Sequence, residues 1–336
     1  MTQLNYDNYS SGRWVGTVED PESEEIYDDN STYSSFGQIC DSVTQWSPMV
    51  SDGLYLPFLA VIRCEAKEKG VTGTDAELSE KINAWPESQT TGDCVSHFVR
   101  GACDCARALD LEHDGDYERW ETRTATEPIY GHRGHRGAGA NCSRLVHFVR
   151  SSGGMLLRQS YDIDGFGKLD LSKYDASVGI RWGGSGVPSS IVNECKKHQV
   201  TDSVRVSTKE EILQAYRQGH MVGGCSSLGL SRNRNEDGVS EAKGSWAHAM
   251  LTHGLDEREE TLSKYGCPLI LIQNSWGAWN NGPRKIRGTD ILIPKGSCWF
   301  KLDSYAKYYK SSCFCFTETR GWKAIKPITI GSSPFG

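Results

Sequence analysis

No run in this 336-residue chain approaches the ~18 consecutive apolar residues that a membrane-spanning helix needs, and a chain folded in water is the expectation. The opening MTQLNYDNYSSGRW has neither the basic n-region nor the apolar h-region of a secretory signal, so the protein is expected in the cytoplasm of the cell that makes it. Positive charge is not in excess: 37 Lys and Arg against 43 Asp and Glu give −6, which argues against nucleic acid as a partner. The glycines of RWGGSGVP are not followed by Lys-Ser/Thr, so they do not form a phosphate loop. His132 and His135 lie near Cys142, and Cys103/Cys105 and Cys313/Cys315 are close pairs, but none has the two paired spacings of a zinc site. On a helix, positions i and i+2 do not share a face, which separates Cys103 from Cys105. No metal or other cofactor is expected, and no internal repeat is present.

Cysteine, by contrast, is plentiful, at twelve residues. Without an export signal they are expected to remain thiols, most of them buried as small hydrophobes. Charge is uneven. Residues 1–36 hold eight acids against Arg13 alone, leaving the remainder of the chain nearly neutral. Residues 1–50 therefore read as an extended acidic segment, either solvated or ordered against a protein partner. Residues 51–315 read as one catalytic body (core 85–310) and 316–336 as a C-terminal extension.

Along the body, 53–70 holds an apolar run, a short strand or buried helix, and 75–85 a helix. After Cys94 the apolar residues Val95, Phe98, Val99, Ala102, Ala106 and Leu109 recur at three and four, an amphipathic or buried helix with Cys94 at its N-terminus. A Gly/His/Arg loop at 130–143 precedes a helix at 144–153. Residues 168–188 read as loop and 189–198 as helix, and Thr208 with Glu211 as a capping box opening a further helix. From Met221 onward short β-type runs take over. Helices first and strands afterwards predict an α+β protein of two packed subdomains, with a cleft between them.

Three pieces carry chemistry: Gly92-Asp93-Cys94 at a helix start, His248 in GSWAHAMLTHGLD, and Asn274-Ser275-Trp276-Gly277 ending LILIQNSWG. A thiol of ordinary pKa ~8.5 is mostly protonated at neutral pH. A helix N-terminus and a neighbouring imidazolium favour the thiolate that attacks. The histidine protonates a leaving amine and then activates water. A side-chain amide can orient the imidazole without adding charge, and an adjacent tryptophan can shield that hydrogen bond. The oxyanion needs donors: the Cys94 backbone N–H and a nearby amide, for which Gln89 is the candidate.

The order Cys…His…Asn, the GDC at a helix start, the WAHAM context and NSWG resemble papain-family cysteine peptidases over residues 85–310. The resemblance implies the papain-like fold, with a helical left and a β-rich right subdomain and the site in the cleft. It implies Cys94 as nucleophile, His248 as acid/base, Asn274 as orienter, Gln89 as oxyanion donor and Trp276 covering Asn274, with Ser275 and Gly92 in support. The substrate implied is a protein or peptide. EPIYG, RWGGSGVP and GSWAHAM are similar to papain-like proteins of bacteriophages and bacteria, which adds a virion-associated location to the expectations. Two departures stand out: Gln89 lies five residues before the cysteine where the family has six, and an acid, Asp93, directly precedes the nucleophile. His97 is a rival base on the nucleophile's own helix, and His253, five residues beyond His248, falls on the opposite strand face. The alternative function is a catalytically weak or inactive papain-like scaffold serving in structure or interaction.

Overall fold

The computed structural model describes residues 49–113, 119–308 and 313–320; the acidic segment 1–36 lies outside them. In chain order the helices are α1 (Phe58–Glu68), α2 (Asp75–Lys81), α3 (Cys94–His113), α4 (Glu127–Gly131), α5 (Cys142–His147), α6 (Ala176–Ser185), α7 (Ser189–Cys195), α8 (Lys209–Arg217), α9 (Glu259–Tyr265) and α10 (Leu302–Tyr305). The strands are β1 (Met49–Ser51), β2 (Leu54–Tyr55), β3 (Ser160–Ile163), β4 (Gly167–Asp170), β5 (Gln199–Arg205), β6 (Met221–Leu230), β7 (Ala242–Asp256), β8 (Leu269–Gln273), β9 (Ser297–Lys301) and β10 (Cys313–Arg320). No helix among the described residues is long and apolar enough to cross a membrane.

The expected division holds. Residues 58–195 are helical apart from the β3–β4 hairpin, and a strand-rich part follows. Eight strands form one sheet in the order β1-β2-β7-β6-β10-β5, with β8 joined to β7 and β9 to β8. Every pairing is antiparallel. β10 carries the sheet past residue 315, where the sequence suggested an extension.

Helix α3 is the hub. Residues 94–109 are buried on every face, so it is a core helix rather than a surface amphipath. It packs on α1 to one side and on β6, β7 and β10 to the other. Gly223 of β6 makes this close approach possible, since a Cβ there would sit 2.6 Å from a ring carbon of Phe98. Capping boxes open α2 (Thr74 with Glu77) and α8 (Thr208 with Glu211), the second as its sequence signature predicts.

Two expectations fail. Residues 168–188, expected as loop, contain part of β4 and all of α6, where Asp175 caps the first turn by accepting from Ser177 N–H at 2.9 Å. The glycines of WGGSG hid this helix, because glycine is a poor helix former whose cost tertiary packing overrides here. Second, the cysteines do not all remain thiols. Cys142 and Cys225 form a disulfide with Cα atoms 6.1 Å apart, joining the start of α5 in the helical part to β6 in the sheet. The other cysteines among the described residues are thiols outside any disulfide, and all are buried.

Candidate active site

Cys94 is the first residue of α3, and Asp93 precedes it with its carbonyl accepting from the N–H groups of Ser96 (3.0 Å) and His97 (3.2 Å). The sulfur thus lies at the positive end of a 20-residue helix. Across from it runs β7, and the N–H of Ala249 donates to Cys94 Sγ at 3.3 Å. That contact places His248, one residue earlier on the strand, beside the N-terminal end of α3.

His248 Nε2 lies 2.9 Å from Asn274 Oδ1. An amide oxygen only accepts, so this pairing assigns the ring proton to Nε2 and leaves Nδ1 as the basic nitrogen. Asn274 follows β8 directly; its carbonyl accepts from the Gln273 side-chain amide at 2.7 Å, and its N–H donates to Gly296 O. Trp276 lies over the imidazole, with ring centroids 4.8 Å apart and an interplanar angle of 32°. Trp246 and Trp279 complete an aromatic wall around the pair. Trp276 therefore shields His248 as well as the bond to Asn274, and the contributions of Trp246 and Trp279 were not apparent from the motif.

Cys94, His248 and Asn274 are all buried, at 0%, 0% and 1% exposure. Burial brings the His248 pKa down to about 4, opposed by the hydrogen bond it donates to Asn274 and reinforced by nearby His97. The imidazole is thus neutral at physiological pH and suited to accept a proton from the thiol.

Gln89 is brought to the same place by strand-like pairing with the NSWG segment. Its N–H donates to Ser275 O at 2.8 Å, Ser88 bridges to Trp276, and the Ser275 hydroxyl donates to Gln89 Oε1. Gly277 has φ +60°, where a side chain would be strained, and its turn passes close to Ser88. The amide nitrogen of Gln89 donates one hydrogen to Thr91 O at 2.7 Å. Gly92 O accepts from Gly139 N–H at 3.0 Å, fixing the Gly/His/Arg loop against the nucleophile's segment.

The other histidines make different contacts. His253 bonds Ser297 Oγ at 3.1 Å and packs edge-on against Phe58 and Trp85. His132 stacks on Phe148 at 4.2 Å, and burial lowers its pKa to about 4. No cluster of metal-ligating side chains occurs among the described residues. His97 stays on its own helix, with Nε2 3.5 Å from Asp93 Oδ2. Sequence reasoning missed Tyr174, whose hydroxyl donates to Asp93 Oδ2 at 2.7 Å from 81 residues away; no local spacing could signal it. It also missed a buried charge network beneath the loop, in which Arg158 pairs with Glu87 and Glu127 (2.6 Å each) and Arg100 with Glu87.

No family model and no curated protein matches the sequence. Among solved structures, the chain is similar to xylellain, a cysteine protease from Xylella fastidiosa (13% identity, 86% of this chain and 91% of that one, TM-score 0.46). It is similar to the clostridial cysteine protease Cwp84 (17% identity, 80% of this chain and 58% of that one, TM-score 0.46). It is also similar to the stem bromelain precursor (13% identity, 91% and 77%, TM-score 0.43).

Proposed function

We propose that the chain is a cysteine-type peptidase or amidase working through an acyl-thioenzyme. The observation that carries this reading is the convergence of a helix-capping thiol, a histidine with an assigned basic nitrogen and an orienting amide, brought from three distant segments. His248 Nδ1 takes the Cys94 proton. The N–H of Ala249 and the α3 N-terminus stabilise the resulting thiolate, which attacks a peptide carbonyl. The Cys94 N–H and the Gln89 amide are the donors for the oxyanion. His248 then protonates the departing amine, and a water activated by the same ring hydrolyses the thioester, releasing the acid and restoring the thiol. Water exclusion by Trp246, Trp276 and Trp279 strengthens the His248–Asn274 bond.

A second reading, a scaffold without turnover, is favoured by the complete burial of Cys94 and His248. One experiment separates the two: iodoacetamide labelling near pH 6, read by peptide mass spectrometry across all cysteines, alongside turnover of a peptide library. The peptidase reading expects Cys94 to label fastest, an advantage lost in His248→Ala, and Cys94→Ala to abolish turnover with the fold intact. Slow labelling of Cys94, no faster than the other thiols, together with absent turnover, makes the scaffold the correct description.

A further inference from the structure

A carboxylate directly before a nucleophilic cysteine works against the thiolate, and a buried one must be compensated or it is too costly to keep. Asp93 is 1% exposed. Its Oδ2 accepts from the Tyr174 hydroxyl and lies 3.5 Å from His97 Nε2. The His97 and Tyr174 rings meet edge-on at 5.2 Å and 69°. The same phenol oxygen accepts from Thr90 N–H at 3.2 Å, so one side chain holds both ends of the 90–93 segment that joins Gln89 to Cys94. Tyr174 is itself anchored: Arg158 lies 5.7 Å over its ring, and the N–H of the next residue, Asp175, donates to Glu127. Burial and the facing Asp93 push the Tyr174 phenol far above its ordinary pKa, which keeps it a donor. His97 is 5% exposed, and neither ring nitrogen makes a hydrogen bond among the described residues.

We propose that Asp93, His97 and Tyr174 are a positioning cluster that holds the nucleophile's segment and sets the pH window in which Cys94 and His248 react, an inference that rests on the peptidase reading of that pair. The charged and titratable groups facing it are Cys94 and Arg100 on α3, Glu87 from the loop before α3, Tyr130 and Arg133 from α4 and the turn after it, Arg158 from the segment before β3, and His248 from β7. Tyr174 acts through Asp93.

The test is the pH dependence of Cys94 alkylation by iodoacetamide, with kcat and KM for a cleaved peptide. Asp93→Asn removes a negative neighbour and is expected to move the whole bell to lower pH by about one unit. Tyr174→Phe and His97→Gln leave the carboxylate less compensated and move it the other way. The double variant Asp93→Asn/Tyr174→Phe is expected to follow Asp93→Asn alone, because removing the acid removes what Tyr174 acts on. A fall in kcat with unchanged KM accompanies Tyr174→Phe. Midpoints of every folded variant within 0.2 unit (roughly a tenth of the usual span of such shifts) of the wild type overturn the cluster while leaving the peptidase standing. If Asp93→Asn fails to fold, the two partner variants still decide the sign. Absence of selective Cys94 labelling in the wild type overturns both readings.

Discussion

The two halves that meet at Cys94 are held together by different physics. The helical half is wired with buried charge: Arg158 is bonded to Glu87, Glu127 and the Thr126 hydroxyl, and Arg100 to Glu87. The sheet half is held by apolar pairing, with all five residues of β8 buried and Ile270 fully so. Cys94 thus rises from a polar lattice that fixes direction, whereas His248 sits on a strand packed in hydrocarbon and indole. A polar lattice defines geometry sharply but fails when one member is lost; an apolar sheet strips water from the imidazole.

Breaking each half should separate them. Arg158→Met strands Glu127, which is 1% exposed, and is expected to cost about 3–5 kcal/mol at neutral pH, the usual penalty for orphaning a buried charge. Ile270→Ala is expected to cost about 2–5 kcal/mol through lost contacts and a cavity. Denaturant midpoints as a function of pH tell the two mechanisms apart. The Arg158→Met penalty should shrink as the stranded carboxylates protonate, and the Ile270→Ala penalty should stay flat. Equal pH dependence would remove the contrast.

Acid sharpens the comparison further. Burial lowers His248 to about 4 and His253 to about 3, and His220 and His132 also to about 4. Below the unfolded value of ~6.5 the unfolded chain binds protons that these rings refuse, so stability is lost as pH falls from 6.5 toward 4. For His248 alone that is about 3 kcal/mol by pH 4. Glu87 behaves oppositely in range: burial raises its pKa, Arg100 and Arg158 outweigh it and bring it to about 2, so its contribution is lost only as pH falls from ~4.5 through 2. Hydrogen exchange during acidification is therefore expected to loosen the sheet around β7 first and the charge lattice last. Simultaneous loss would contradict this order.

The smallest expected effect concerns a disulfide that ties the two halves. The Cys142–Cys225 disulfide spans 83 residues. Cys225 pairs across the sheet with Ala249, the donor to Cys94, while Cys142 follows the loop bonded to Gly92. Reduction by a dithiol, or Cys142→Ala/Cys225→Ala, is expected to lower stability by about 2–4 kcal/mol and to speed alkylation of Cys94 by freeing the two walls. Unchanged alkylation would show that the bridge stabilises the fold without restraining the cleft.

Some of this was written in the sequence. The 3–4 spacing after Cys94, the β-type runs after Met221, the Thr208 capping box and the GDC, WAHAM and NSWG segments are local patterns, and local patterns carry helix starts, strand periods and motif residues. They gave the α+β division and brought Cys94, Gln89, His248 and Asn274 under suspicion together. Helix α6, hidden under glycines, needed packing to exist. The Tyr174 clamp on Asp93, the Arg158 lattice, the Trp246 and Trp279 wall and the Cys142–Cys225 bridge join residues tens to hundreds of positions apart. The burial that keeps His248 neutral depends on equally distant contacts. Burial and long-range pairing are properties of the folded chain as a whole, and only the tertiary structure decided them.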